Sequence, residues 1–269
     1  MEGMMILGAF SAFAVAHQTG NLLLAVGAAA LAGALAALVH AFVSITLQAN
    51  QYVAGLAMTS FGLGLSGVLG RAFEGTPLAR PMAGIVVPFL SSIPVIGPAL
   101  FRGQAILTHL GLLVAVAMWV LLYRTRFGIT VRSVGESPVA ADTAGIRVSW
   151  VRYACVIAGG ALAGIGGAYL SVAYRPSWTE GMTAGMGWIA LAIAIFASWN
   201  PLKAIGGALF FGALYYLSFR LQALVTPELL KALPYLSVII ALAFSARGRQ
   251  RLLLGAPEAL GEPYHRGAR

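Results

Sequence analysis

Long apolar runs with no charged residue in their interiors limit this chain to a membrane-spanning fold. A helix needs about 20 mostly apolar residues to cross a bilayer, whereas the strands of a transmembrane barrel would alternate in polarity over about 10 residues. The runs do not alternate, and their two charged residues, Lys203 and Arg220, lie at the edges of one run, where their side chains can reach the interface. We therefore predict an all-α polytopic membrane protein with about eight transmembrane helices, at 4–18, 22–47, 52–70, 105–123, 153–173, 183–199, 203–220 and 232–246.

The basic residues predict how these helices are oriented. Charged residues are 9% of the chain, against about 25% in a soluble domain, so the net charge of +9 indicates loops that face anionic lipid and not nucleic acid. With the C-terminus cytoplasmic, Lys and Arg divide 11 inside to 6 outside. We predict one transmembrane domain over 1–269 with both termini inside, a cytoplasmic loop at 124–152, an external loop at 71–104 and a cytoplasmic tail at 247–269.

The external loop is rich in proline, which does not fit one regular helix. A short re-entrant or surface helix, an outer docking surface, and a passive cover over the bundle all remain open for it. The prolines are Pro77, Pro81, Pro88, Pro94 and Pro98.

The chain offers no catalytic or metal-binding constellation. Its four histidines include no pair four residues apart, and only His265 has a carboxylate near it in sequence, Glu262, so we expect no metal site and no cofactor. An ion-driven transporter usually needs ionisable groups within the bilayer, and the interiors of the predicted spans have no Asp, Glu, Lys or Arg. A permease subunit that takes its energy from a separate ATPase needs no such group, but it does need a firm cytoplasmic element for the ATPase to push.

Residues 135–146 supply a candidate for that element. Ser137 can cap a helix N-terminus, Pro138 suits the first helical position, and Gly145 can provide a left-handed stop. The result is a short polar helix between the fourth and fifth predicted spans, on the basic side. An ordinary amphipathic helix at the interface is the plainer alternative.

The run YRTRFGITVRSVGESPVAADTAGIRVSWVRY (123–153) resembles the cytoplasmic loop of ABC importer permeases of the sugar, nucleoside and branched-chain amino acid group. The resemblance extends over almost the whole chain and is most similar to the nucleoside-type permeases. Its other motifs are EGMMILGAF near the start, EGMTAGMGWIALAIAIFASWNPLKAIGGALFFG (180–212), LPYL (233–236) and APEALGEPY (256–264).

The resemblance implies a complete import system in the cell inner, or plasma, membrane. It implies two permease subunits that differ in sequence, an ATPase with two fused nucleotide-binding domains, and an external substrate-binding protein, often a lipoprotein. ATP would be hydrolysed on the partner, so this chain is not expected to be an enzyme. On this view the segment from Glu136 to Gly145 is the coupling helix that contacts the ATPase, with Glu136, Ser137, Pro138, Ala141, Asp142 and Gly145 as its key residues.

Polar and aromatic residues near the ends of predicted spans are candidates for the transport path. They are Asn50, Gln51, Thr183 and Trp188, and each is explained more readily as a structural residue. Uncharged spans suit a neutral cargo such as a nucleoside. A simple-sugar or branched-chain amino acid permease of the same group is the alternative, and a channel or membrane scaffold without ATP is the alternative from another class.

The chain departs from the family in two places. Met186 stands where relatives commonly have Arg, and relatives continue upstream of EGMM with another apolar helix. EGM at 2–4 recurs at 180–182, and GAL at 33–35 recurs at 207–209 with a nearly equal offset and five spans between copies. This spacing is typical of an inverted repeat, and it predicts that a helix equivalent to 153–173 belongs upstream.

Small residues are concentrated in GGALAGIGGA (159–168), where Gly160 and Gly164 lie four residues apart. That spacing lets helix backbones approach closely. We expect packing inside the subunit here and not a dimer face.

Overall fold

A computed structural model describes residues 1–89, 91, 101–221, 236 and 256–264. The described part is mostly helical. Its helices are α1 (Glu2–Thr19), α2 (Leu22–Ala41, continued by a π-helical turn Phe42–Thr46), α3 (Gln51–Gly70, followed by a 3-10 turn Arg71–Phe73), α4 (Ile106–Arg124), α5 (Arg126–Glu136), α6 (Pro138–Thr143), α7 (Val148–Tyr169, continued by a π-helical turn Leu170–Tyr174), α8 (Met186–Phe196) and α9 (Pro201–Leu221).

Four described segments are long and apolar enough to cross a membrane, and they confirm the second to fifth predicted spans. They are Leu22–Thr46, Gln51–Phe73, Ile106–Arg124 and Val148–Tyr174. The first and seventh predicted spans are the helices α1 and α9, which are not among those four segments. The eighth, 232–246, lies outside the described residues apart from Leu236, so a total of eight spans stays a prediction.

The sixth predicted span is shorter than expected. Its helix α8 begins at Met186, and residues 180–185 before it form turns. The two copies of EGM therefore differ in structure, because the first lies in the first turn of α1 and the second lies in this turn region. The inverted repeat accordingly stays a prediction.

The described part of the predicted external loop, 71–104, contains strands, so a purely α fold was wrong for this region. Strand β1 (Gly84–Val86) pairs antiparallel with β2 (Arg102–Ala105). The loop is also fixed by backbone bonds, because Leu78 N–H donates to the Pro176 carbonyl (2.8 Å) and Met82 N–H donates to the Val172 carbonyl (2.8 Å).

The described residues group into two compact units. The first comprises Met1–Gly111, Pro138–Gly187 and Gly261–Arg269, and the second comprises Leu112–Ser137 and Trp188–Leu260.

Glycine and alanine bring the helices of the first unit together. In this unit α2 packs along both α1 and α7. A Cβ on Gly164 would overlap the carbonyl oxygen of Ala29, and one on Gly160 would lie 2.6 Å from the carbonyl oxygen of Gly33. The small residues of α7 thus pack inside the subunit, as the sequence predicted.

The first unit also has an aromatic core beside the external loop. Trp178 is fully buried and meets Phe10 edge to face with 5.3 Å between ring centroids. Phe13 packs against Phe73 in the same way at 5.9 Å. These contacts join α1 to the end of α3 and to the segment that follows α7.

The second unit comprises the main part of α4, α5, the main part of α8, and α9. Phe196 stacks on Phe210 at 6.1 Å between centroids. Asn200 caps α9, since its Oδ1 accepts from Leu202 N–H (3.0 Å), and the backbone of Trp199 takes a left-handed φ of 58° to form the turn.

Candidate functional site

The predicted coupling helix is present as α6 with the boundaries that its capping residues require. Pro138 is its first residue, and Ser137 before it has the extended backbone of an N-cap residue. Gly145 has a φ of +85°. Its N–H donates to the Asp142 carbonyl (2.9 Å), and Ile146 N–H donates to the Ala141 carbonyl (3.0 Å). These two bonds form a Schellman stop, so the helix ends at a fixed point.

One face of α6 is buried and the other is exposed. Ala141 is buried and packs toward the start of α7, where Val148 is also buried. Val139 is 58% exposed, and Ala140 is exposed beside it. In the first unit, α6 therefore presents an exposed apolar patch while its opposite side holds it in place.

Helix α5, in the second unit, was not predicted from the sequence. Thr125 caps it by accepting from Gly128 N–H (3.1 Å), and Arg132 lies 5.2 Å from the centre of the Tyr123 ring. Glu136, the last residue of α5, contributes to the lining of a cavity of about 1050 Å³. The search for apolar runs missed this helix because basic residues interrupt 123–136, although Thr125 is a residue type that commonly caps a helix N-terminus.

The tail motif makes hydrogen bonds within each unit. In the second unit, Ala259 N–H donates to the Gly135 carbonyl (3.0 Å). In the first unit, Arg152 donates to the Glu262 carbonyl (2.9 Å) and Gln48 donates to the Tyr264 carbonyl (3.1 Å).

Of the four path candidates, three belong to the first unit and the fourth, Trp188, belongs to the second. Asn50 caps α3 by accepting from Tyr52 N–H (2.9 Å), and Gln51 is the first residue of that helix. Trp188, in the second unit, is 45% exposed. Thr183 is fully buried in the first unit, where its hydroxyl donates to Glu2.

Glu2 is the polar residue that the sequence argument missed. Its side chain is only 5% exposed. Besides the Thr183 hydroxyl it accepts two backbone N–H groups, Gly185 at 3.0 Å and Gly187 at 2.7 Å. We place this carboxylate at the first turn of α8, where a negative charge is favoured by the helix dipole. No pattern pointed to it, because its donors lie about 180 positions away in the sequence.

Glu2 also lies at depth within the helix bundle. The neighbouring Gly3 packs on the backbone of Met58, since a Cβ there would overlap the Met58 carbonyl. Met58 is about 10 Å along α3 from its first residue, at 1.5 Å per residue. The first unit therefore contains a buried carboxylate whose hydrogen-bond donors are neutral groups.

Apolar spanning helices and a firmly capped loop helix define a polytopic membrane protein of the transport class. The chain belongs to the family described as branched-chain amino acid transport system / permease component, whose model matches residues 1–242.

Three relatives illustrate what the chain is similar to. It is 36% identical to a putative glucose ABC transporter permease of Haloferax volcanii, over 99% of this chain and 88% of the relative. It is 34% identical to a guanosine ABC transporter permease of Bacillus subtilis, over 100% and 88%. It is 35% identical to a nucleoside ABC transporter permease of Lactococcus lactis, over 98% and 86%. No solved structure matches the chain at a significant level.

Proposed function

We propose that this chain is the membrane permease subunit of an ATP-driven importer and that its cargo is a nucleoside. The family, together with two nearly full-length relatives named as nucleoside or guanosine permeases, supports the assignment. The observation that carries it in the structure is α6, a short helix with a fixed start and a fixed stop.

In this proposal α6 transmits force from the ATPase to the bundle. A transmitting element must be rigid and anchored, and the Schellman stop after Thr143 together with buried Ala141 provides both properties. Exposed Val139 and the carboxylates of Glu136 and Asp142 would meet the ATPase.

The partners follow from the same proposal. They are an ATPase with two nucleotide-binding domains, a second permease subunit and an external substrate-binding protein, all at the cell inner (plasma) membrane. ATP is hydrolysed on the ATPase, and this chain contributes the path and the coupling contact.

A specific observation favours glucose as the second candidate cargo, because a relative of nearly full length is named as a putative glucose permease. Both cargoes are neutral and rich in hydroxyl groups. The charge of the path therefore does not distinguish the two cargoes, and an uptake measurement is needed to do so.

Uptake by the assembled importer tests the proposal. Cells that lack their own nucleoside uptake would express this chain together with an ATPase, a second permease and a binding protein as its proposed partners, and would receive labelled guanosine or labelled glucose. We expect guanosine accumulation that stops when the ATPase is inactivated. Accumulation of glucose without guanosine would identify glucose as the cargo. Uptake that persists without ATP hydrolysis would identify a channel.

A further inference from the structure

Glu2 binds a segment that leads into another helix, and it contributes all the acceptors of that contact. One carboxylate oxygen, Oε1, accepts from the Thr183 hydroxyl and from Gly185 N–H, and Oε2 accepts from Gly187 N–H. Both oxygens are thus occupied by donors from 183–187. A hydrogen bond to a charged group is among the stronger ones in a protein, and more so where water is excluded.

Close backbone contacts fix the position of Glu2 from two sides. On the α3 side, a Cβ on Gly62 would lie 2.5 Å from the carbonyl oxygen of Gly3. On the other side, a Cβ on Gly187 would lie 2.7 Å from the Cα of Glu2. The first turn of α1 is therefore held between α3 and the start of α8, with little room to shift.

The segment that Glu2 holds has a strained backbone. Gly181 (φ 65°) and Gly185 (φ 84°) are left-handed, which glycine tolerates, but Ala184 between them also has a positive φ, of 44°. A left-handed residue with a Cβ is unfavourable and persists only where its surroundings impose it. Glu2 imposes it here, because its three bonds lie on both sides of Ala184.

We propose that Glu2 is a positioning residue for transport, whose carboxylate holds the 181–187 turn in its strained form and thereby fixes where α8 begins. The inference rests on the proposed permease function and deepens it. Thr183, considered above as a path residue, is assigned to this contact and not to the cargo. Without the carboxylate the turn relaxes, and the start of α8 loses its fixed position.

Substitution of Glu2 tests the role directly. Glu2→Gln preserves the shape but replaces one acceptor oxygen with a donor, so at least one of the three bonds is lost. In the assembled importer we expect a normal amount of complex, an unchanged KM for labelled guanosine, and a maximal uptake rate reduced about tenfold or more. Glu262→Gln is the matched control, since only the backbone carbonyl of Glu262 makes a contact, and it should transport normally.

A second measurement reports on the turn without any cargo. Met186→Cys in a Cys155→Ser background places a label at the start of α8, and Glu2→Gln should raise its labelling rate in the complex. An unchanged labelling rate, or uptake at the normal rate, would overturn the proposal. If wild-type complex carries glucose and not guanosine, the cargo assignment fails, while the Glu2 comparison continues with glucose.

Relief of the strain supplies a further test. Ala184→Gly removes the Cβ that opposes the left-handed backbone, so in the Glu2→Gln background it should recover about fivefold in rate. Failure to recover would contradict the positioning role.

If Glu2→Gln does not reach the membrane, Thr183→Val takes its place, because it removes one donor and retains the carboxylate. Thr183→Ser, which retains the hydroxyl, should then behave as wild type, and equal defects in both would overturn the proposal.

Discussion

Gly145 ends α6 with a backbone conformation that other residues adopt only at a cost. Its φ of +85° permits the two hydrogen bonds that close the helix. The sequence predicted this residue correctly because capping is local, with Pro138 and Gly145 only seven positions apart. Glu2 is the opposite case, since its burial depends on donors far along the chain.

Replacing Gly145 should therefore weaken the coupling helix in a specific way. A valine there would be forced into the left-handed region at a cost of about 1–2 kcal/mol. We expect Gly145→Val to insert in the membrane but to lose much of its uptake, measured with the complete importer.

Gly166→Val is the matched control for this prediction. Gly166 lies in α7, has no left-handed φ, and has open space where a Cβ would stand. If both variants transport equally well, the stop at Gly145 is not needed for coupling.

At the scale of helices, α7 shows how small residues determine packing. Gly164 contacts α2 at Ala29 and α1 at Gly8, so one residue joins three helices. The apolar pattern predicted this helix and its close packing, but it gave no indication of which helices would be its neighbours, because all the runs are similarly apolar.

A larger side chain at Gly164 should separate these helices. Gly164→Val would place a Cβ on the Ala29 carbonyl, and overpacking of this kind costs about 1–3 kcal/mol or more. We expect a lower melting temperature for the detergent-purified complex. Gly159→Val, where a Cβ meets nothing within 4 Å, should melt nearly as wild type, and an equal loss in both would exclude the packing explanation.

The charges near α6 make a separate prediction about its partner. Glu136→Lys and Asp142→Lys invert charge where the ATPase is proposed to bind, and like charges across an interface cost affinity and slow association. We expect both variants to reach the membrane but to retain less ATPase on co-purification. Glu258→Lys, an exposed carboxylate in the tail, serves as the control, and normal ATPase binding by all three would refute the assignment of this surface.

At the scale of the whole chain, composition and periodicity predicted a polytopic helical membrane protein and placed four of its spans. They did not predict the β1–β2 pair, because its two strands are short, mostly exposed and separated by a proline-rich sequence. They also placed the sixth span too early, since Thr183 and Ala184 read as part of an apolar run but lie in a turn, where the Thr183 hydroxyl donates to Glu2.

The distribution of basic residues makes the last prediction, which concerns topology. With both termini inside, Ala140 is cytoplasmic and Ala79 is external, and both are exposed. Cys155 is exposed on the surface of α7, so it is first replaced by serine. In intact cells an impermeant thiol reagent should label Ala79→Cys at once and Ala140→Cys only after the membrane is opened. The reverse order of labelling would show that the topology is the opposite one, with α6 on the side away from the ATPase. The same experiment therefore also tests the coupling proposal.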